Sequence, residues 1–323
     1  MRLSSMRQSS ALKKTRECSL GIMTAFALLP VVLVSCRDRV HEINESVGKD
    51  KVPVTICVNN MNGPGYAQTR ALVDVGQVCS NLSFCIYPCE GESFDKIQIN
   101  QLRDDESFGT VSQNLTLGVH KIVVIAHNGD KNATMTNPES ISFTSNTLLK
   151  TTDTFCWAGE VNVTPSTGTV NVTLTRATAM FRFILTGTMI PDQVSELHFA
   201  YKGGSAAVNP FTLEGTVRSN QRESFVIEDN SRKVFEIYTF PRYEDSDNAR
   251  IPLKLDITVT AIDINGNAVK ERVLNDVPIE RNRITECRGD FFAGGTLEYA
   301  TIEFGGIKVE PDWAGTDQYS FPE

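Results

Sequence analysis

The chain has 323 residues, 41% of them hydrophobic, and a formal charge of −8; that is apolar mass for a sizeable core, and a length beyond one small domain. The first 35 residues carry Arg2, Arg7, Lys13, Lys14 and Arg16 against Glu17, a net +4, which leaves −12 for the remainder. An acidic chain without a clustered Lys/Arg stripe repels phosphate backbones and anionic lipid, so the composition argues against nucleic acid and for protein or glycan partners.

Behind the basic start, Ser19 to Ser35 is uncharged and rich in Leu, Val, Ile and Ala, the pattern of the apolar region of an export signal. At about 17 residues, interrupted by Pro30, it is at the low limit for a membrane span. It ends Leu33-Val34-Ser35-Cys36, which resembles the bacterial lipobox. That resemblance implies a lipoprotein signal peptide over 1–35, diacylglycerol on the Cys36 thiol, cleavage before Cys36 and acylation of the new amino terminus. The expected location is the outer membrane, facing outward. Residues 36–50 are short, charged and aperiodic, which suits a flexible tether.

From Lys51 onward, β-branched and aromatic runs alternate with turn clusters, and no stretch shows helical periodicity. The expectation is an all-β protein. Strands are predicted over Val52–Val58, Leu82–Tyr87, Lys96–Gln101, Lys121–Ala126, Ile141–Thr144, Phe155–Val163, Thr169–Thr175, Phe181–Leu185, Glu196–Tyr201, Phe225–Glu228, Val234–Phe240 and Leu297–Phe304. The clearest is Lys254–Ile264, where Leu255, Ile257, Val259 and Ala261 point one way and Lys254, Asp256, Thr258 and Thr260 the other. Asn265-Gly266 then supplies the positive φ of a hairpin turn, and Ala268–Leu274 is the return strand. The turn at Asp263–Asn267 lacks the glycine and terminal glutamate of a calcium loop, so the turn reading stands. The loop Pro165-Ser166-Thr167-Gly168 divides the strands into halves, 51–167 and 168–323, each long enough for a β-sandwich.

No catalytic constellation is present: no Gly-x-Ser-x-Gly, no phosphate loop, no His-Glu-x-x-His, no dinucleotide fingerprint. His41, His120, His127 and His198 are scattered and read as structural. Glu244-Asp245-Ser246-Asp247 reads as a solvated acidic turn rather than a cation site. Arg288-Gly289-Asp290 spells an integrin-recognition tripeptide, but it falls between strand-like segments, and so short a match arises by chance. The Asn-x-Ser/Thr sites at Asn81, Asn114, Asn132, Asn162 and Asn171 are ordinary for Thr-rich strands. The expectation is therefore a non-enzyme without metal or cofactor. With Cys18 in the leader and Cys36 carrying lipid, Cys57, Cys79, Cys85, Cys89, Cys156 and Cys287 remain. Six cysteines allow 15 pairings. Cys85 and Cys89, four apart in an extended run, lie about 13 Å from each other, too far for a bridge or a shared ion. Most of the six read as small buried hydrophobes.

Several stretches, in order along the chain, resemble the fimbrillin superfamily of Bacteroidales, closest to the FimB/Mfa family of fimbrial subunits. They are Gly118–Gly129, Thr152-Asp153-Thr154-Phe155, Leu174–Arg182, Tyr201-Lys202-Gly203-Gly204-Ser205, Tyr238-Thr239-Phe240-Pro241, Val277–Thr285 and Gly289-Asp290-Phe291-Phe292. The resemblance implies two tandem transthyretin-like β-sandwiches and a structural role in a surface fimbrium, joined to other fimbrial subunits by strand exchange and supporting adhesion to host or bacterial surface ligands. Gln68-Thr69-Arg70-Ala71 resembles the cleavage region of shaft-type subunits. A cut between Arg70 and Ala71 would remove Val52–Val58 and open a groove; the other reading is a loop arginine that stays uncut. Leu297–Phe304, with Glu298, Ala300, Ile302 and Phe304 on one face, is the candidate donor strand or an ordinary closing strand. The competing function is a monomeric surface lipoprotein that binds glycan on Trp157 and Trp313, although core packing explains two isolated tryptophans better.

Overall fold

A computed structural model describes residues 50–62, 74–88, 95–143, 150–187, 189–246, 249–293 and 316–320. The predicted leader with Cys36, the cleavage pair Arg70 and Ala71, the run Leu297–Phe304, and also His41, Cys89 and Trp313 lie outside the described residues.

In chain order the strands are β1 (Lys51–Asn62), β2 (Asn81–Ile86), β3 (Ile97–Leu102), β4 (Thr110–Thr116), β5 (Gly118–His127), β6 (Thr134–Asn137), β7 (Ser140–Ser142), β8 (Thr154–Val163), β9 (Thr169–Arg176), β10 (Ala179–Leu185), β11 (Val194–Lys202), β12 (Ala207–Asn209), β13 (Glu214–Gly215), β14 (Asn220–Val226), β15 (Val234–Thr239), β16 (Tyr243–Ser246), β17 (Ala249–Pro252), β18 (Leu255–Asp263), β19 (Ala268–Val277), β20 (Ile284–Gly289) and β21 (Thr316–Ser320). One helical turn, α1 (Val75–Val78), is capped by Asp74, whose carboxylate accepts from the Gly76 N–H. The protein is all-β, as its alternating pattern predicts.

The amino-terminal half is a seven-stranded sheet in the order β3-β2-β5-β8-β9-β1-β4. Its β8 and β9 pair at only two positions, Phe155 with Arg176 and Cys156 with Thr175. That brief contact is a corner, beyond which the two limbs of the sheet face each other across one core of Val54, Ile56, Leu82, Phe84, Ile122, Val124, Val172 and Leu174. Side chains alternate along a strand, so the opposite face of β2, β5 and β8 presents Cys85, Val123, Ile125 and Cys156. A second, short sheet in the order β13-β12-β7-β6 supplies Met135, Ile141 and Val208 to the same cluster. It is built from both halves of the sequence, since β7 pairs with β12 through Ser142–Ala207 and Ile141–Val208.

Two four-stranded sheets, β15-β10-β20-β21 and β14-β11-β18-β19, form the carboxy-terminal half around an aromatic core. Phe183 meets Phe199 and Phe291 edge-on with ring centroids 5.6 and 5.8 Å apart, a favoured arrangement of ring quadrupoles. The β18–β19 hairpin turns at Asn265-Gly266 as expected, with Gly266 at φ 84°. Both Asp263 oxygens are occupied there, accepting from the Asn265 and Asn267 N–H groups and the Asn267 side-chain amide.

Two elements differ from the sequence expectation. The Pro165–Gly168 loop joins β8 to β9, both in one sheet, and the chain enters the carboxy-terminal sheets only after Arg176, at β10. The acidic turn at Glu244–Ser246 is one strand of a β16–β17 ribbon, where Asp245 pairs with Arg250 at 2.6 Å. In the ribbon register Asp245 stands directly opposite Arg250, a cross-strand pair of opposite charge. At Arg176 the halves are joined by a buried guanidinium. It donates through Nε and Nη2 to Asp153, both at 2.9 Å, and through Nη1 to Asn282 at 3.2 Å, while lying over the Phe155 ring. Thr178 adds a further bond to Asp153.

Candidate functional site

The site with most functional content is the seat of β1. This strand runs antiparallel to β4, from Lys51–Thr116 to Cys57–Thr110, and parallel to β9, from Thr55–Thr169 to Asn62–Thr175. It comes first among the described strands yet sits inside the sheet. β4 joins the sheet through β1 alone. The sequence explains the seating: Val52, Val54, Ile56 and Val58 fall on one face, and Val54 and Ile56 are fully buried. Pro53, which has no N–H, stands opposite Asn114 before the β9 pairing begins, where only one side of the strand is taken. A register shift between Val58 and Asn60 bends the strand near its end.

Side-chain and loop contacts fix the register. The Thr55 N–H donates to Gly168 O at 2.9 Å and the Val58 N–H to Gly109 O at 2.8 Å. Thr55 and Ser112 hydroxyls are 2.9 Å apart, and the Asn59 amide donates to Asn171. Gly109, at φ 92°, occupies the left-handed region that glycine adopts without strain. Burying Val54 and Ile56 contributes roughly 3–6 kcal/mol at about 1.5–3 kcal/mol each.

At the other end of the chain, β21 is the outer strand of its sheet and runs parallel to β20, from Ile284–Thr316 to Arg288–Ser320. As an edge strand it has backbone groups that face outward. The donor strand predicted at Glu298–Phe304 lies outside the described residues.

The remaining residues singled out in the sequence are engaged locally. His120 is buried, its ring nitrogens 3.1 Å from Tyr87 O and 2.9 Å from Thr116 O. His127 is buried too, accepts from the Gly129 N–H through Nδ1 at 3.0 Å, and has its pKa pushed down to about 4 by burial. His198 sits 2.6 Å from Glu196 near the surface. Arg288 pairs with Glu286, and the Asp290 carboxylate accepts from the Phe292 and Ala293 N–H groups, so the tripeptide is taken up in strand and turn. Trp157 packs half-buried against the amino-terminal core and lies against Gly159, where a Cβ would meet its ring at 2.9 Å. Cys57, Cys79, Cys85, Cys156 and Cys287 are free thiols, all but Cys57 buried; burial pushes the Cys287 thiol up to about 12. No group of three or more His, Cys, Asp or Glu placed to hold a metal occurs among the described residues.

Sequence reasoning found β1 and its neighbour β9 but not β4, the strand on its other side. β4, Thr-Val-Ser-Gln-Asn-Leu-Thr, is half polar, and only its placement beside Val54 and Ile56 reveals Val111 and Leu115 as core.

Comparison with known proteins gives a match of residues 134–322 to a family of unknown function (DUF6562). No curated protein matches the chain. Among solved structures, a candidate adhesin from Bacteroides ovatus is similar at 13% identity and TM-score 0.46, over 76% of this chain and 88% of that one. A fimbrial assembly protein from Parabacteroides distasonis is similar at 12% identity and TM-score 0.37, over 74% and 90%. A candidate cell adhesion protein from Bacteroides eggerthii is similar at 14% identity and TM-score 0.39, over 85% and 98%.

Proposed function

The chain belongs to the family of unknown function DUF6562, and from that premise we propose that it is a non-enzymatic structural subunit of a bacterial surface fimbrium. It is exported, lipidated at Cys36, and joined to other subunits by exchange of a strand at the β1 seat. The observation that carries this reading is the position of β1, seated between β9 and β4 inside its sheet and connected to the next element through the segment that contains Arg70.

Excision of that strand leaves one backbone edge of β9 and one of β4 unpaired, and uncovers the apolar seam that Val54 and Ile56 fill. A strand from a neighbouring subunit restores both at once, which is the physical basis of β-strand complementation. An intact β1 instead keeps the seat filled, as suits a subunit that stays on its lipid and anchors others. The ordered resemblance to fimbrillins and the lipobox at Cys36 support the same assignment.

The test is extraction of the native cell surface under mild denaturant, followed by gel analysis, intact mass and amino-terminal sequencing. The expected result is a ladder of assemblies containing this chain, starting at lipid-bearing Cys36 in an anchor or at Ala71 in a processed subunit. In the processed case, Arg70→Ala blocks the cut, and a synthetic peptide of Lys51–Asn62 rebinds the trimmed chain. A monomer throughout, in gels and after cross-linking, overturns the reading.

A further inference from the structure

Beside the β16–β17 ribbon, where β11 ends and β18 begins, a groove of about 410 Å³ opens in the carboxy-terminal half. Its volume lies in the range of ligand clefts. Arg218, Arg242 and Lys254 line it together with Glu244 and Asp276. Among the described residues none of these five side chains has an ion-pair partner, although cations and anions share one groove. The remaining carboxylate of the lining, Asp256, is already committed, 3.7 Å from Lys202 Nζ and accepting from the Asp276 N–H at 3.3 Å.

The backbone holds this arrangement open. Gly203, at φ 111°, passes so close to the start of β18 that a Cβ there would lie 2.2 Å from Lys254 O. Asp276 has φ 54°, a conformation rare outside glycine and held by surrounding structure. One flank is apolar, formed by Ile251 and Pro252, and Ile251 is exposed.

Separated donors and acceptors select a ligand whose own groups do both. A guanidinium only donates and a carboxylate only accepts, whereas a hydroxyl does either. An anion is repelled by Glu244 and Asp276, a cation by the two arginines, and an apolar molecule leaves all of them without partners. A pyranose satisfies the whole lining: its hydroxyls bridge guanidinium and carboxylate, and its C–H face lies on Ile251 and Pro252. We propose that this groove binds an uncharged oligosaccharide, with Arg218 and Arg242 donating to its hydroxyls and Glu244 and Asp276 accepting from them. The site contains no residue of β1 or of its sheet, so it stands whether or not the chain assembles by strand exchange.

The test titrates the full chain, by calorimetry, with neutral hexasaccharides of glucose, mannose and xylose and with hexagalacturonate as the acidic counterpart. At least one neutral sugar is expected to bind, and more tightly than the acidic one. Arg218→Ala combined with Arg242→Ala is expected to weaken binding at least tenfold, and Arg242→Lys to weaken it less, since lysine keeps the charge and loses the fork. Trp157→Phe is expected to leave binding unchanged. Arg218 is exposed, so Arg218→Ala alone keeps the fold and serves if the double variant does not. Absence of binding by every neutral sugar, equal or tighter binding of hexagalacturonate, or unchanged affinity in Arg218→Ala overturns the proposal.

Discussion

The two halves close their cores by different means. In the carboxy-terminal half, Phe183, Phe199, Phe235 and Phe291 interlock from both sheets and the loop after β20, so the core depends on rings contributed by several segments. In the amino-terminal half the core is mainly aliphatic, and one strand from the start of the described chain holds β4 to the rest. A core shared among rings from several segments is not completed by any single strand. A core completed by one strand depends on that strand, and the same dependence permits replacement by an equivalent strand from elsewhere.

The largest expected effect tests this asymmetry directly. Val54→Asp with Ile56→Asp places two carboxyl groups where no water or partner reaches them, at a cost of more than about 4 kcal/mol. Hydrogen exchange read by mass spectrometry is expected to show lost protection in β1, β4 and β9 while β10, β11 and β18 keep theirs. If both halves lose protection together, the cores are not separable and the comparison fails.

A smaller effect distinguishes the halves by pH. His127, at the end of β5, is buried and its pKa lies at about 4, below the usual value of 6.5. As pH falls below 6.5 the unfolded chain takes up the proton first, and the folded chain resists until about 4. Stability of the amino-terminal half is therefore present above pH 6.5 and lost as pH drops toward 4, by about 3 kcal/mol. Urea unfolding followed through Trp157 in a Trp313→Phe background is expected to show that slope, and His127→Gln to flatten it.

β-branched and aromatic runs bounded by turn residues made β5, β8 and β9 legible, and strict alternation of apolar and polar residues did the same for β18 in its hairpin with β19. β20 was not legible: Thr285 and Glu286 are buried there, and a buried glutamate paired with Arg288 reads in sequence as a polar loop. The short strands β12 and β13 carry too few residues for any period, and they belong to the sheet shared by both halves. Of the candidate site, Val52–Val58 was legible as a strand, but its place between β4 and β9 depends on pairing across more than 50 residues, which no local pattern encodes. The proposed oligosaccharide groove was not legible as a site, because its lining comes from five separate segments and its charged residues are individually ordinary surface charges.

The smallest expected effect runs opposite to that of His127 and lies in the other half. Glu223, on β14, is buried, paired through one oxygen with Lys150 at 2.7 Å, and its second oxygen has no hydrogen-bond partner. Burial raises its pKa, only partly offset by Lys150 and, farther off, Arg232; Tyr201 is the other titratable group facing it. A carboxyl whose folded pKa is raised contributes stability that is complete below its unfolded value of 4.5 and lost as pH rises through the folded value. Glu223→Gln keeps an oxygen for Lys150 and removes the charge, so the variant is expected to be more stable than the parent at pH 7 and equal to it below about pH 4.5. Thermal unfolding at the two pH values checks this. A variant less stable at pH 7 would mean that the Lys150 pair outweighs the cost of burying the charge, and that acid weakens the two halves alike rather than in opposite senses.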